Sequence, residues 1–200
     1  MQIKLSDHFT YSKLLRFTLP SIIMMIISSI YSVVDGLFVS NLVGELALSA
    51  VNIMFPVSMI LASFGFMLGT GGGAIVARTM GEGNQDLANR YFSMIVYTVL
   101  GLGIVLSVLS AVFTEQIARL AGASSLLMED CISYGRVLLA GSAVFMLQVS
   151  FQVFFVVAEQ PRKGLFFSIL SGITNMVLDY VFIALLDMGV AGAAWATGLG

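Results

Sequence analysis

Charge is scarce in this sequence. Among 200 residues there are 11 acidic and 9 basic side chains, 10% in all, where a soluble domain carries about a quarter. A water-facing surface could not be covered with so few. The single cysteine, Cys131, excludes an intrachain disulfide and a thiolate metal cluster. The single histidine, His8, lies in a polar N-terminal segment and reads as a solvent-exposed side chain, not a ligand. There is no basic run and no base-reading motif, so nucleic acid is not an expected partner. The apolar stretches hold no His, Cys or Ser constellation of the kind an enzyme nucleophile needs, and no enzymatic role or cofactor is expected.

Apolar residues fill the rest. They make up 58% of the chain, with a mean hydropathy of +1.00. The class is an all-α polytopic membrane protein, because about 20 apolar residues at ~1.5 Å each cross a bilayer. Five complete spans are expected, near 14–40, 48–77, 91–113, 136–157 and 164–186, with a sixth starting at 190. Basic residues precede the first apolar run, but the run is too long for a signal peptide and no small-residue cleavage site closes it. Residues 1–13 form a separate N-terminal segment, either a short interfacial helix or a tail. Asp86 is a plausible start for the third helix, and the stretch 114–135 reads as the longest loop.

The basic residues set an orientation. With the N-terminus in the cytoplasm, Lys4, Lys13, Arg16, Arg78, Arg90, Arg162 and Lys163 all lie inside, and only Arg119 and Arg136 lie outside. Seven against two is the bias expected of a multi-pass protein of the cell membrane.

Polar groups within the spans each need a reason. A carboxylate there costs about 3 kcal/mol even on lenient scales. Asp35 lies in the outer third of the first span, ~8 Å below its end, and Asp179 in the fifth, ~11 Å below. Asn175 is one turn from Asp179 on the same face, and Thr197 lies ~11 Å into the sixth span. Four oxygen-bearing side chains at one depth, from three helices, describe a hard-cation site, Na⁺ for example, or a proton site. No basic residue stands mid-membrane to neutralise the two acids. Asn52 and Thr197, taken singly, are equally compatible with interhelical hydrogen bonding. Gln148 and Gln152, spaced i, i+4, either line a cavity or bond to a neighbouring helix. Methionines such as Met176 suit a promiscuous apolar pocket, or simply packing. Asn52, Gln148, Gln152 and Met176 are therefore tentative cavity residues. Gly65, Gly69, Gly71, Gly72 and Gly73 allow close helix approach in the second span. Pro20 lies about four turns below Asp35 and is a candidate hinge.

Three stretches carry a resemblance: LPSIIMMIISSIYSVVDGLFVSNLVGELALSAVNIMFPV at 19–57, ARTMGEGNQDLANRYF at 77–92 and EQPRKGLFFSILSGITNMVLDYVFI at 159–183. The chain resembles the N-terminal half of the multidrug and toxic compound extrusion (MATE) transporters, and Asp179 makes it more like the DinF-like branch than the NorM-like one. The resemblance implies twelve helices in two six-helix lobes, of which residues 14–200 would be the N-lobe and a C-lobe would be missing. It implies a monomer that exports organic cations or amphipathic drugs against Na⁺ or H⁺. The family's first-span Asp falls on Asp35, its fifth-span Asn and Asp on Asn175 and Asp179, its sixth-span Thr on Thr197 and its first-span Pro on Pro20. A lipid-linked oligosaccharide flippase is the alternative within the group, though no basic residues stand mid-span to hold a pyrophosphate. A passive channel or assembly subunit is the other, though the polar groups cluster at one depth instead of lining a whole span.

Replacing Pro20 with Ala is expected to impair transport by stiffening the first helix below Asp35. Undiminished efflux by that variant in vesicles would remove the hinge.

Overall fold

Out of water, a helix satisfies its own backbone amides, so apolar stretches of this length fold as helices. The computed structural model describes residues 10–200. Lys4 and His8 fall outside the described residues, as does most of the 1–13 segment; its last residues already belong to the first helix. The elements are α1 (Tyr11–Phe38), α2 (Glu45–Gly81), α3 (Gln85–Val112), α4 (Thr114–Leu120), α5 (Met128–Ala140), α6 (Ser142–Val157), α7 (Pro161–Asp179) and α8 (Gly189–Leu199). Two π-helical segments, Val39–Val43 and Tyr180–Leu185, prolong α1 and α7. Four of the described helices are long and apolar enough to cross a membrane, and α5 and α6 meet the same measure only together, as a pair bent by 53°.

Local chemistry explains the ends. Pro161 opens α7 at a first-turn position, where its missing N–H is no loss. Asn84, not Asp86, caps α3: its side chain accepts from the Leu87 N–H at 3.1 Å, and Asp86 is the second residue of the helix, within its first turn. Gly44, at φ 126, turns the chain between α1's prolongation and α2 in a conformation that other residues avoid.

Two expectations are corrected. The stretch 114–135 is not mainly loop: it contains α4 and the first turns of α5. The helix expected from near 136 begins at Met128 and breaks at Gly141. Glu129 and Asp130 hide this start from a hydropathy reading, yet they suit a first helical turn, where acidic groups meet the positive end of the dipole.

Packing divides the helices unequally. α2 packs most closely on α6 and α3, and α1 on α7. At one end, one apolar core joins Val39, Met54, Tyr134, Leu139, Ile183 and Ala193, from both halves of the molecule. At the end carrying Arg78 and Arg162, a second core joins Val76, Ile95, Val99, Met146 and Phe154, from α2, α3 and α6 alone. Glycine makes the second set tight. A Cβ on Gly65 would lie 2.5 Å from the Met146 carbonyl oxygen, and one on Gly69 would lie 3.0 Å from the Ser150 Cα. Ser150 Oγ then donates to the Gly65 carbonyl at 2.7 Å. A Cβ on Gly103 of α3 would lie 2.8 Å from the Ala143 Cα.

Gly65→Val should therefore drive α2 and α6 apart and destabilise the protein by about 1–3 kcal/mol. Gly71, whose Cβ direction is open, should tolerate Ala. Thermal unfolding of both variants in detergent checks this; equal melting temperatures would show that the close approach is not needed.

Candidate functional site

The two helices that carry the acids are packed on each other. Gly172 of α7 lets the Tyr31 ring of α1 approach, so that a Cβ there would lie 3.3 Å from the ring. This brings the Asp35 and Asp179 carboxyl groups together as neighbours. Both helices turn π-helical just beyond the acids, α1 from Val39 and α7 from Tyr180. Such departures from α geometry often accompany functional sites.

Burial is severe. Asp179 is fully buried, Asn175 is 3% exposed and Asp35 is half-buried. Asp35 Oδ1, Asn175 Oδ1 and both carboxyl oxygens of Asp179 are buried, and none has a hydrogen-bond donor from the protein. An isolated buried acceptor costs about 1–3 kcal/mol, and more if charged. Four of them converging is the donor set that a proton or a hard cation would satisfy. Thr197 lines the same space. Its hydroxyl donates to the Ala193 carbonyl at 2.9 Å, which leaves its oxygen lone pairs to accept.

A cavity of about 410 Å³ opens beside this cluster. Asp35, Tyr31, Ser32 and Ser28 of α1, Asn175 and Ser171 of α7, and Thr197 of α8 supply polar lining. Phe55, Met59 and Phe145 supply apolar wall, and Gln148 faces it from α6. Of the tentative cavity residues, Gln148 lines this space and Gln152 lines an adjoining one. Gln148 also bonds a neighbouring helix, its Nε2 donating to Ser171 Oγ at 3.3 Å, so the two readings of that residue hold together. Asn52 and Met176 are not among the lining residues. Asn52 is exposed one turn from Phe55, and Met176 is half-buried, one residue around the helix from Asn175. Pro20 is buried inside α1.

Tyr134 escaped the sequence reading. It is 1% exposed and neighbours Asp35, Asp179 and Thr197. Its helix was expected to be loop. A buried i, i+3, i+7 row of Cys131, Tyr134 and Leu138 is the signal that would have placed it on an inward face. Ser28, Ser32 and Ser171 were also missed, because serines in apolar helices read as ordinary helix contacts.

The comparisons with known proteins agree in kind. The sequence model of the family described as MatE matches residues 20–181. The multidrug export protein MepA of Staphylococcus haemolyticus is 28% identical over 196 residues, covering 94% of this chain and 42% of the relative. A multidrug resistance MATE family transporter of the MOP superfamily, solved in an outward-facing conformation, superposes with a TM-score of 0.85 at 30% identity, over 92% of this chain and 41% of that one. A MOP superfamily transporter from Pyrococcus furiosus, for which a reversed binding-pocket polarity suggests a different function, matches with the same TM-score, identity and coverage. The chain thus spans about 42% of the length of the curated relatives it matches.

Asp179→Asn replaces two unpartnered buried carboxyl oxygens by one oxygen and an N–H donor group beside the unpartnered oxygens of Asp35 and Asn175. It is expected to raise the melting temperature in cation-poor detergent buffer by roughly 2–4 °C for each kcal/mol of relieved burial cost. A lower melting temperature would show that the fold already compensates these oxygens.

Proposed function

The chain belongs to the MatE family, and from that premise we propose that it carries the cation-coupling half of a secondary multidrug exporter. It sits as a multi-pass lobe in the cell membrane, with the N-terminus and the end bearing Arg78 and Arg162 in the cytoplasm. Asp35, Asn175, Asp179 and Thr197 hold the coupling cation, Na⁺ or H⁺, and Tyr134 orders the cluster from α5. One observation carries the reading: four buried acceptor oxygens, from α1 and α7, meet without a protein donor.

The same arrangement suggests the coupling. With a cation or proton bound, the cluster is compensated and α1 stays docked on α7. When the cation leaves, two carboxylates face each other in a low dielectric and the α1–α7 contact loses stability. A substrate and a cation that favour different states of this contact displace each other, and this differential affinity is what antiport requires. The substrate space is the cavity beside the cluster. Phe55, Met59 and Phe145 offer apolar and aromatic surface, and Gln148 a polar anchor, a lining suited to amphipathic organic cations. The lining includes no Lys or Arg, so a lipid pyrophosphate would find no counter-charge and the flippase reading gains no support.

Efflux of a fluorescent organic cation should be measured with the full-length protein in vesicles, Na⁺ and pH gradients being imposed separately. One of the two gradients should drive it, and Asp35→Asn and Asp179→Asn should each abolish the driven component. Normal extrusion by both variants would overturn the site assignment.

A further inference from the structure

The bend between α5 and α6 is made by backbone groups that have left the helical pattern. The Gly141 N–H still reaches back to the Val137 carbonyl at 3.2 Å, but the Gly141 carbonyl then takes both the Val144 and the Phe145 N–H, at 3.0 and 3.2 Å. In an unbroken helix the Ala143 N–H would bond the Leu139 carbonyl one turn back. Here it donates instead to Ser107 Oγ of α3, at 2.9 Å. A close approach delivers that hydroxyl: one turn before Ser107, a Cβ on Gly103 would lie 2.8 Å from the Ala143 Cα. Ser107 is buried, which leaves bulk water little access to the joint. Its neighbours on the same buried face behave differently. The Ser110 hydroxyl donates to the Leu106 carbonyl at 2.6 Å and the Thr114 hydroxyl to the Ser110 carbonyl at 2.9 Å, each within its own stretch of chain. Of these three, Ser107 alone serves another element.

Ser142 acts in the opposite sense. Its hydroxyl oxygen is buried and has no partner, at 2% exposure. Serines in the unbroken helices of this chain donate to the carbonyl four residues back, as Ser49 does to Glu45 and Ser93 to Asn89. Ser142 would find the Leu138 carbonyl in the same way if α5 ran straight into α6. One serine therefore holds the bend and another opposes it. A buried amide without an acceptor costs about 1–3 kcal/mol, so removing Ser107 Oγ tips the joint toward the straight form. The far arm of the joint carries Tyr134, the neighbour of Asp35 and Asp179. Tyr134 lies ~10 Å along α5 from Gly141. At that radius a change of about 10° moves it ~2 Å, whereas a binding constellation tolerates about 0.5 Å.

We propose that Ser107 is a positioning residue for the acidic cluster: by taking the Ala143 amide it holds the 53° bend that keeps Tyr134 beside the acids, and Ser142 weighs against that bend. The proposal rests on the reading that the cluster holds the coupling cation. Ser107 does not line the cavity beside the acids and acts through the direction of α5. The contact of Gly135 with Met54 and Thr114 seats α5 along its length; the Ser107 bond sets its tilt.

The full-length protein in detergent tests this, with thermal stabilisation titrated against Na⁺ and against pH. Ser107→Ala should shift the midpoint of whichever titration stabilises the parent, about tenfold toward higher Na⁺ or about one unit toward lower pH, near the factor that one neutral hydrogen bond supplies. Ser107→Thr keeps the acceptor and should restore the midpoint. Ser142→Ala removes the unpartnered hydroxyl and should shift the midpoint the other way. In a Tyr134→Phe background the Ser107→Ala shift should shrink, because the two changes act on one contact. Spin labels at Glu129→Cys and Ala158→Cys, with Cys131→Ser and any other cysteine removed, read the joint itself. Full straightening lengthens that distance by ~5 Å, and Ser107→Ala should lengthen it part of the way. Should Ser107→Ala not fold, the midpoint and label distance of Ser142→Ala decide alone. An unchanged midpoint and distance in Ser107→Ala, an undiminished shift in the Tyr134→Phe background, or a Ser142→Ala shift in the same direction as Ser107→Ala would overturn the positioning role and leave the acidic site standing. A parent stabilised in neither titration would overturn the coupling reading, and this role with it.

Discussion

Two carboxyl groups placed in apolar surroundings with no basic partner constrain everything built around them. A surface acid can be left to water, but Asp179 is fully buried and Asp35 turns one oxygen away from solvent. Two uncompensated charges at that depth would repel in a low dielectric, so the α1–α7 contact is where a bound proton or cation would change the stability of the lobe most.

The remainder of the lobe is held by close packing around small residues. Gly65, Gly69 and Gly103 bring α2, α3 and α6 to backbone contact, and α1 packs on α7. The two sets share an apolar core at one end, where Val39 and Ile183 meet Met54 and Leu139. The break at Gly141 fits this division. Below it, α6 stays with α2 and α3. Above it, α5 carries Tyr134 to the acids and packs on α8.

Much of this was legible from residues alone. The spans followed from apolar length, since a bilayer imposes a dimension that composition must meet. Asp35, Asn175, Asp179 and Thr197 stood out because each is costly where it lies, and their common depth followed from counting along helices of known rise. Asn52 shows the limit of that method. It is as polar as Asn175 and also lies within a span, but it is exposed and outside the cavity lining, because depth says nothing of azimuth relative to neighbours. Tyr134 shows the opposite failure: two acidic residues, Glu129 and Asp130, disguised a helix start as a loop and took the tyrosine out of consideration.

The sequence by itself determined that this chain is a bundle of membrane helices, and which groups could not be left alone inside it, because the energy of a charge or a bare amide in hydrocarbon depends on the residue and its depth. Which of those groups face one another was decided only in three dimensions. Gly172 admitting Tyr31, the bend at Gly141 and the meeting of Gln148 with Ser171 join residues tens of positions apart, and such pairings depend on how whole helices rotate and settle against each other, which no local pattern encodes.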